Sequence, residues 1–151
     1  MAVIMAFDQA LAGPTGYAVF DRQTQELITY GKFTGGTLLN CKDNVVELID
    51  KWKPVHVILE DVQQQRNVQT FKVLSMLLGV LQIALEERGI NYTVVHVMTW
   101  RAKNQIHARN RAEAKRMAQT LIEELYGVKP TQDECEAVLI GRYYFLSRVE
   151  F

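Results

Sequence analysis

Hydrophobic residues occur along this chain with two spacings, and the change between them divides it into predicted strands and helices. In the first third, short segments rich in β-branched and aromatic residues alternate with turn residues, a pattern typical of β-strands. These segments cover residues 2–7, 17–20 and 27–33. The turn sequence Gly13-Pro14-Thr15-Gly16 separates the first two. The pattern predicts an antiparallel meander of three strands.

After Gly36 the apolar residues recur at helical spacing, interrupted by two short strand-like runs. The predicted elements are, in order, a helix that Pro54 ends, a buried strand over 55–59, a helix over 68–88 that is apolar on two sides, a strand over 92–98, and helices over 111–126 and 132–147. Strands joined by helices normally pair in parallel through right-handed crossovers. This order predicts an α/β fold of the ribonuclease H-like type: a mixed five-stranded sheet, with three antiparallel strands plus parallel strands, flanked by helices in one domain over residues 1–151.

Composition narrows the class of protein. The chain has 151 residues, of which 48% are hydrophobic and 23% charged, so a folded globular domain is expected rather than disorder. Polar residues interrupt every apolar segment before it reaches the roughly 18 to 20 consecutive residues of a membrane span. We therefore expect a cytoplasmic protein. The two cysteines form no CxxC pattern, which argues against a disulfide framework or a cysteine zinc site.

Two acidic residues end predicted neighbouring strands. Asp8 follows the first strand and Glu60 follows the fourth. Functional sites in open α/β sheets form at the carboxyl ends of parallel strands, so these carboxylates are expected to converge. Either acid taken singly is more often only the polar residue at which a strand ends.

The last helix adds two more acids. Asp133 and Glu136 lie one helical turn apart, at the start of the face that Ala137 and Ile140 continue toward the sheet. Glu134 has a simpler explanation, because residues 131–134 fit a capping box with a threonine N-cap. Capping does not explain why Asp133 and Glu136 both lie on the helix face that is directed toward the sheet.

Four gathered carboxylates repel one another unless a cation neutralises them. Oxygen-only ligands suit Mg²⁺ or Mn²⁺, and a pair of such ions is the usual arrangement for cutting phosphodiesters. The sequence therefore predicts that Asp8, Glu60, Asp133 and Glu136 hold two Mg²⁺ ions, for which Mn²⁺ substitutes.

The formal net charge is zero, which alone argues against a nucleic-acid partner. The average conceals a basic tract, residues 99–117, with six basic side chains and one acidic one. Its residues are Arg101, Lys103, Arg109, Arg111, Lys115 and Arg116, together with His107. Two interpretations remain open, a solvated helix face with a loop and a phosphate-binding surface. Trp100, just before the tract, is expected to pack in the core or to stack on an exposed base.

Three motifs together resemble the RuvC family of Holliday junction resolvases. They are IMAFDQALAGPTGYAVFD around Asp8, VILEDV around Glu60, and QDECEAVLIGRYY around Asp133 and Glu136. The chain looks most like the phage-encoded branch of the family, such as the lactococcal phage proteins. The resemblance implies a metal-dependent endonuclease that nicks branched DNA, including four-way junctions, and resolves recombination or replication intermediates. Its location would be the host cell cytoplasm, with no membrane partner.

The resemblance also implies further roles. Lys115 matches a catalytic lysine, and for a second family lysine the candidates are Lys103 and Asn104, of which Lys103 is favoured. A homodimer would form through the helix after Glu60, with the interface residues Phe71, Leu74, Leu78 and Leu81. DNA contacts are expected from the basic tract and from Gln63, Gln64 and Arg66. Bacterial members carry an aromatic wedge where this chain has Gln63 and Gln64.

Two other classes of function fit parts of the pattern. One is a non-catalytic protein that binds branched DNA, which would show junction binding without metal-dependent cleavage. The other is an actin-like ATPase, which shares the sheet topology. The absence of a second glycine-rich phosphate loop argues against the ATPase.

Overall fold

A computed structural model describes residues 1–63 and 67–148. Five strands and five helices follow one another in this part of the chain. They are β1 (Val3–Asp8), β2 (Thr15–Asp21), β3 (Leu27–Phe33), α1 (Leu38–Trp52), β4 (His56–Glu60), α2 (Val68–Glu87), β5 (Asn91–Val95), α3 (Val97–Lys103), α4 (Arg111–Tyr126) and α5 (Gln132–Arg148).

The strands form one mixed sheet in the order β3-β2-β1-β4-β5. The pairs β1·β2 and β2·β3 are antiparallel, whereas β1·β4 and β4·β5 are parallel. The predicted sheet is thus confirmed, with the meander on one side and the parallel strands on the other. The register pairs Phe7 with Leu59, so the next residues, Asp8 and Glu60, leave their strands side by side.

Helices cover both faces of the sheet. Alternate residues of β1 point to opposite faces, and both sets are buried, as in a sheet covered on each side. Ile4 and Ala6 join the core cluster that contains residues of α3, α4 and α5. Met5 and Phe7 join the cluster that contains residues of α1 and α2. The central strand is therefore rigidly enclosed up to its carboxyl end.

The largest difference from the predicted elements lies after β5. The predicted strand over 92–98 ends at Val95, and residues 97–103 form the short helix α3. His96 is its N-cap, because its imidazole Nδ1 accepts the Met98 backbone N–H at 3.1 Å. The apolar residues of this segment are compatible with either a strand or a helix, and the His96 cap stabilises the helix. The basic tract consequently begins on a helix rather than on a loop.

Helix α2 packs differently from the predicted dimer helix. Leu81 is fully buried against the sheet of its own protomer, in the same cluster as Leu77 and Leu85, so it is unavailable to a partner. This corrects its assignment to an interface. The large apolar side chains of α2 that are exposed are Val68, Phe71, Met76 and Ile83, while Leu74 and Leu78 are partly buried. By length and composition alone, α2 is also apolar enough to cross a membrane.

Candidate active site

Four acidic side chains from three elements line one open cleft at the carboxyl edge of the sheet. Asp8 ends β1, Glu60 ends β4, and Asp133 and Glu136 lie in the first turns of α5. The cleft has a volume of about 990 Å³, and all four acids line it. The convergence that the sequence predicted is therefore present in the structure.

Gly16 allows α5 to begin close to Asp8. It lies opposite Asp8 in the β1·β2 ladder, and the Asp133 backbone rests directly on it. A Cβ atom at this position would overlap the Asp133 carbonyl oxygen. The neighbouring Thr15 is fully buried, and its hydroxyl donates to the Ala10 carbonyl at 2.8 Å and accepts the Ala10 N–H at 3.0 Å. Thr15 and Gly16 of the predicted turn sequence therefore connect the loop after Asp8, strand β2 and the start of α5 at the site.

The two residues between Asp133 and Glu136 have structural roles. The Glu134 carboxylate accepts the Thr131 backbone N–H and the Thr131 hydroxyl, each at 2.9 Å, so Glu134 caps the helix as predicted. The hydroxyl donates to this carboxylate, whereas in a full capping box it would accept a backbone N–H. Cys135 is buried, and burial raises the pKa of its thiol to about 11, which leaves it protonated.

Two of the acids, Asp8 and Glu60, have raised pKa values. Burial raises the pKa of Asp8 well above its ordinary value, and Glu136, with which it forms a hydrogen bond, raises it further. The negative charges of Glu60 and Asp133 act in the same direction. Burial also raises the pKa of Glu60 to about 7, against the lowering effect of a hydrogen bond from Trp100. Desolvation and repulsion between like charges both disfavour the ionised carboxylates, so a bound cation would stabilise them.

Helix α3 supplies the basic side chain closest to the acids. Arg101 Nη2 lies 3.9 Å from Glu136 Oε1, and its guanidinium stacks over the Trp100 ring at 5.4 Å from the ring centroid. One long ion pair does not offset four carboxylates. The centre of the cleft therefore remains net negative, with the Arg101 guanidinium at its wall.

The chemistry of the four side chains fits a hard divalent cation, although their oxygen atoms do not surround a common point. All four groups are carboxylates, the ligands that Mg²⁺ and Mn²⁺ prefer. Within residues 1–63 and 67–148, no three acidic, histidine or cysteine side chains are close enough to enclose an ion. A bound cation would neutralise the repulsion between these carboxylates.

The predicted DNA-contacting residues fall into groups. Gln63, Arg101, His107, Arg109 and Arg111 line the acidic cleft. Lys115 lines a small adjoining cavity that it shares with Arg101, Arg111 and Glu136. Lys103 and Arg116 are not among the described residues that line either space. Gln64 and Arg66 lie outside the described residues.

Asn104 has a structural position rather than a DNA-facing one. It is 3% exposed, and its amide donates to the carbonyls of Trp100 and Leu139 at 2.7 and 3.0 Å. Its Oδ1 atom accepts a hydrogen bond from Arg142 at 3.0 Å. These contacts tie α3 to α5 and leave Asn104 buried between the two helices.

Two polar residues that the sequence did not mark as part of the site contact Glu60. Trp100 donates from Nε1 to Glu60 Oε2 at 2.7 Å, and the Gln9 side chain bonds both backbone groups of Glu60. Gln9 directly follows Asp8, but no periodicity marks it. Trp100 lies 40 residues from Glu60 along the chain, and only the helical path of α3 brings them together.

A family model described as "Crossover junction endodeoxyribonuclease RuvC" matches residues 13–140. The match includes Glu60, Asp133 and Glu136 and begins after Asp8. The chain belongs to the RuvC family. It is accordingly a structure-selective nuclease of the crossover junction endodeoxyribonuclease class. RuvC-like nucleases depend on a divalent metal ion.

Individual relatives agree with this family and with the fold. The RuvC of Akkermansia muciniphila is 26% identical over 155 residues, which cover 95% of this chain and 90% of the relative. The structure of T. thermophilus RuvC in complex with a Holliday junction substrate aligns with a TM-score of 0.76 at 14% identity, over 99% of this chain and 96% of that one. A fowlpox virus resolvase in complex with Holliday junction DNA aligns with a TM-score of 0.64 at 16% identity, over 98% and 97% of the two chains. The ribonuclease H-like sheet is thus shared with RuvC proteins and viral resolvases.

Proposed function

We propose that Asp8, Glu60, Asp133 and Glu136 form the active site of a nuclease that nicks branched DNA with two Mg²⁺ ions. The observation that carries this proposal is the convergence of four carboxylates in one cleft, where burial and the neighbouring acids raise the pKa of Asp8 and of Glu60. Mn²⁺ has similar ligand preferences and substitutes for Mg²⁺. When bound, the ions activate a water molecule and stabilise the leaving oxygen.

The basic residues around the cleft hold the DNA backbone. Arg101, Arg109 and Arg111 lie along the cleft wall, where each has access to a phosphate next to the acids. Lys115 is exposed on α4 beside Glu136, and it offsets negative charge that develops on the scissile phosphate. His107 lines the same cleft, and Lys103 and Arg116 belong to the same basic tract, so we assign these three to contacts farther along the strand.

The substrate is branched DNA, including four-way junctions. The T. thermophilus and fowlpox virus structures both contain Holliday junction DNA, and this chain shares their fold over nearly its full length. Gln63 lies at the rim of the cleft, where an aromatic side chain would act as a wedge. Polar glutamines stack weakly on bases, so we infer that selection among branch types is less strict than with an aromatic wedge. We further propose a cytoplasmic enzyme with one nuclease domain over residues 1–151.

The active form is a homodimer that places two clefts on one junction. We place the centre of this interface on the exposed apolar residues of α2 and not on the buried Leu81. These residues are Val68, Phe71, Met76 and Ile83. A contiguous apolar surface on a water-soluble domain is commonly an association site. Two symmetric sites make paired nicks, which resolve the junction into duplexes.

Nicking assays on synthetic DNA test the active site. With Mg²⁺, the purified protein should nick a four-way junction more readily than a linear duplex of the same sequence. Asp8→Asn and Glu136→Gln should each lower nicking by at least about 100-fold, because each removes a metal ligand. Glu134→Gln is the matched control on the same helical turn, and it should retain activity. Full activity of Asp8→Asn, or equal cutting of both DNAs, would contradict the proposal.

A further inference from the structure

The Glu60 carboxylate is held by a buried indole. Trp100 is 2% exposed and packs in the core cluster between α3, α4 and α5. Its Nε1–H points out of that core and donates to Glu60 Oε2 at 2.7 Å. A side chain fixed by close packing on all sides holds its donor in one place. The bond therefore fixes the rotation of the carboxylate and occupies one of its two oxygens.

The Glu60 backbone is held by the side chain of Gln9. The Gln9 amide donates from Nε2 to the Glu60 carbonyl at 2.6 Å, and its Oε1 accepts the Glu60 N–H at 3.2 Å. The last residue pair of the β1·β4 ladder is Phe7 with Leu59. The Gln9 side chain therefore adds one further pair of hydrogen bonds after the last residue pair of the β1·β4 ladder. These bonds hold the chain segments of Asp8 and Glu60 at a fixed separation.

We propose that Gln9 and Trp100 are positioning residues for the metal site, with Gln9 fixing the backbone of Glu60 and Trp100 fixing its carboxylate. Trp100 donates to Oε2, and the carboxylate would hold a cation through the lone pairs that this bond leaves open, in the cleft that it shares with Asp8. Residues that orient metal ligands typically change metal affinity or activity by about 10- to 100-fold when they are lost. This inference rests on the proposed role of Glu60 as a metal ligand.

A purely structural role for Trp100 makes a different prediction. A buried indole N–H needs an acceptor, and the Glu60 carboxylate satisfies that need whether or not a metal binds. Under this alternative, loss of the N–H lowers stability and leaves metal affinity unchanged. Metal binding in the absence of DNA therefore separates the two roles.

The experiment measures Mn²⁺ affinity of the full chain by electron paramagnetic resonance, without DNA. Trp100→Phe and Gln9→Leu should each weaken Mn²⁺ binding by about 10-fold or more. Trp52→Phe is the matched control, because Trp52 lies at the end of α1 beside Lys51, away from the cleft. It should bind Mn²⁺ as the wild type does.

A second variant isolates the N–H group from the shape of the indole. In the Trp52→Phe background, Trp100 is the sole tryptophan and can be replaced biosynthetically by its benzothiophene analogue, in which sulfur replaces N–H. Weakened Mn²⁺ binding by this folded protein supports positioning, and wild-type binding overturns it. Asp8→Asn distinguishes the underlying proposal. If Asp8→Asn abolishes binding and the analogue does not, only positioning fails. If Asp8→Asn binds as tightly as wild type, the proposed metal site fails as well.

Discussion

Glu60 shows how much a single residue depends on its surroundings in this protein. Its ordinary pKa of 4.5 rises to about 7 because burial disfavours the charged form, and Glu136 adds to the effect. The indole N–H of Trp100 and the charge of Arg101 oppose this rise. At neutral pH, Glu60 is therefore close to its midpoint, and a bound cation would favour its ionised form.

The stability of the metal-free protein should fall as the pH rises through this range. An acid whose pKa is higher in the folded state binds its proton more tightly there, so ionisation favours unfolding. Between pH about 4.5 and about 7, we expect Glu60 to lower the free energy of unfolding by on the order of 3 kcal/mol. Asp8 acts in the same direction.

Urea denaturation in EDTA from pH 4.5 to 8, followed by circular dichroism, measures this dependence. Glu60→Gln has no charge to bury, so its stability should fall less over the same interval. Identical pH dependence in wild type and Glu60→Gln would show that Glu60 does not carry the effect.

At the scale of elements, the site depends on how closely α5 approaches the sheet. Gly16 supports the Asp133 backbone, and Gly141 lies against the ring of Phe20 farther along the helix. Gly16 lies in β2 and faces the helix, whereas Gly141 lies in α5 and faces the sheet. Neither carries a side chain into the contact, so the helix lies close enough to place Asp133 and Glu136 beside Asp8. The acids on α5 thus depend on two small residues that have no chemistry of their own.

Gly16→Ala should displace the start of α5. The new methyl group would overlap backbone atoms, which cannot move aside as a flexible side chain does. We expect a loss of about 1 to 3 kcal/mol in stability and at least about a 10-fold loss of nicking. Gly13→Ala is the matched control, because nothing lies within 4 Å of a Cβ at that position. Thermal unfolding and junction nicking measure both, and wild-type behaviour of Gly16→Ala would contradict this role.

At the scale of the whole molecule, zero net charge results from the separation of opposite charges. The basic tract follows β5, and three of its arginines, Arg101, Arg109 and Arg111, line the same cleft as the four acids. A negative DNA backbone is attracted to the arginines, and cations are attracted to the acids. The side of α2 away from the sheet exposes four large apolar side chains instead, and the proposed homodimer would bury them.

Substitutions on α2 test that assembly. Met76→Glu and Ile83→Glu place a charge on side chains that are 49% and 56% exposed, so the fold of the protomer should persist. We expect the mass measured by light scattering to fall from that of a dimer to that of a monomer, and paired nicking to be lost. Gln23→Glu, in the exposed turn between β2 and β3, adds the same charge away from α2 and should remain dimeric. Dimers of Ile83→Glu would place the interface elsewhere.

The sequence by itself determined the five strands, the four long helices and their order, and it identified four acids as candidates that converge; it did not indicate the short helix α3. Strand ends, helical periodicity and capping are local, so they can be read without knowing what packs against what. Parallel pairing through helical crossovers then places Asp8 beside Glu60, which makes this part of the site predictable. The RuvC resemblance, which rests on the same motifs, was confirmed by the family match.

Only the tertiary structure decided the contacts that organise this site. Gln9 and Trp100 contact Glu60 across 51 and 40 residues of chain, and Asn104 reaches Leu139 across 35. The side of α2 that faces solvent was equally undetermined, because both of its sides are apolar and packing on the sheet selects one of them. Periodicity specifies which residues share a face, but the neighbour of that face depends on the arrangement of the whole chain.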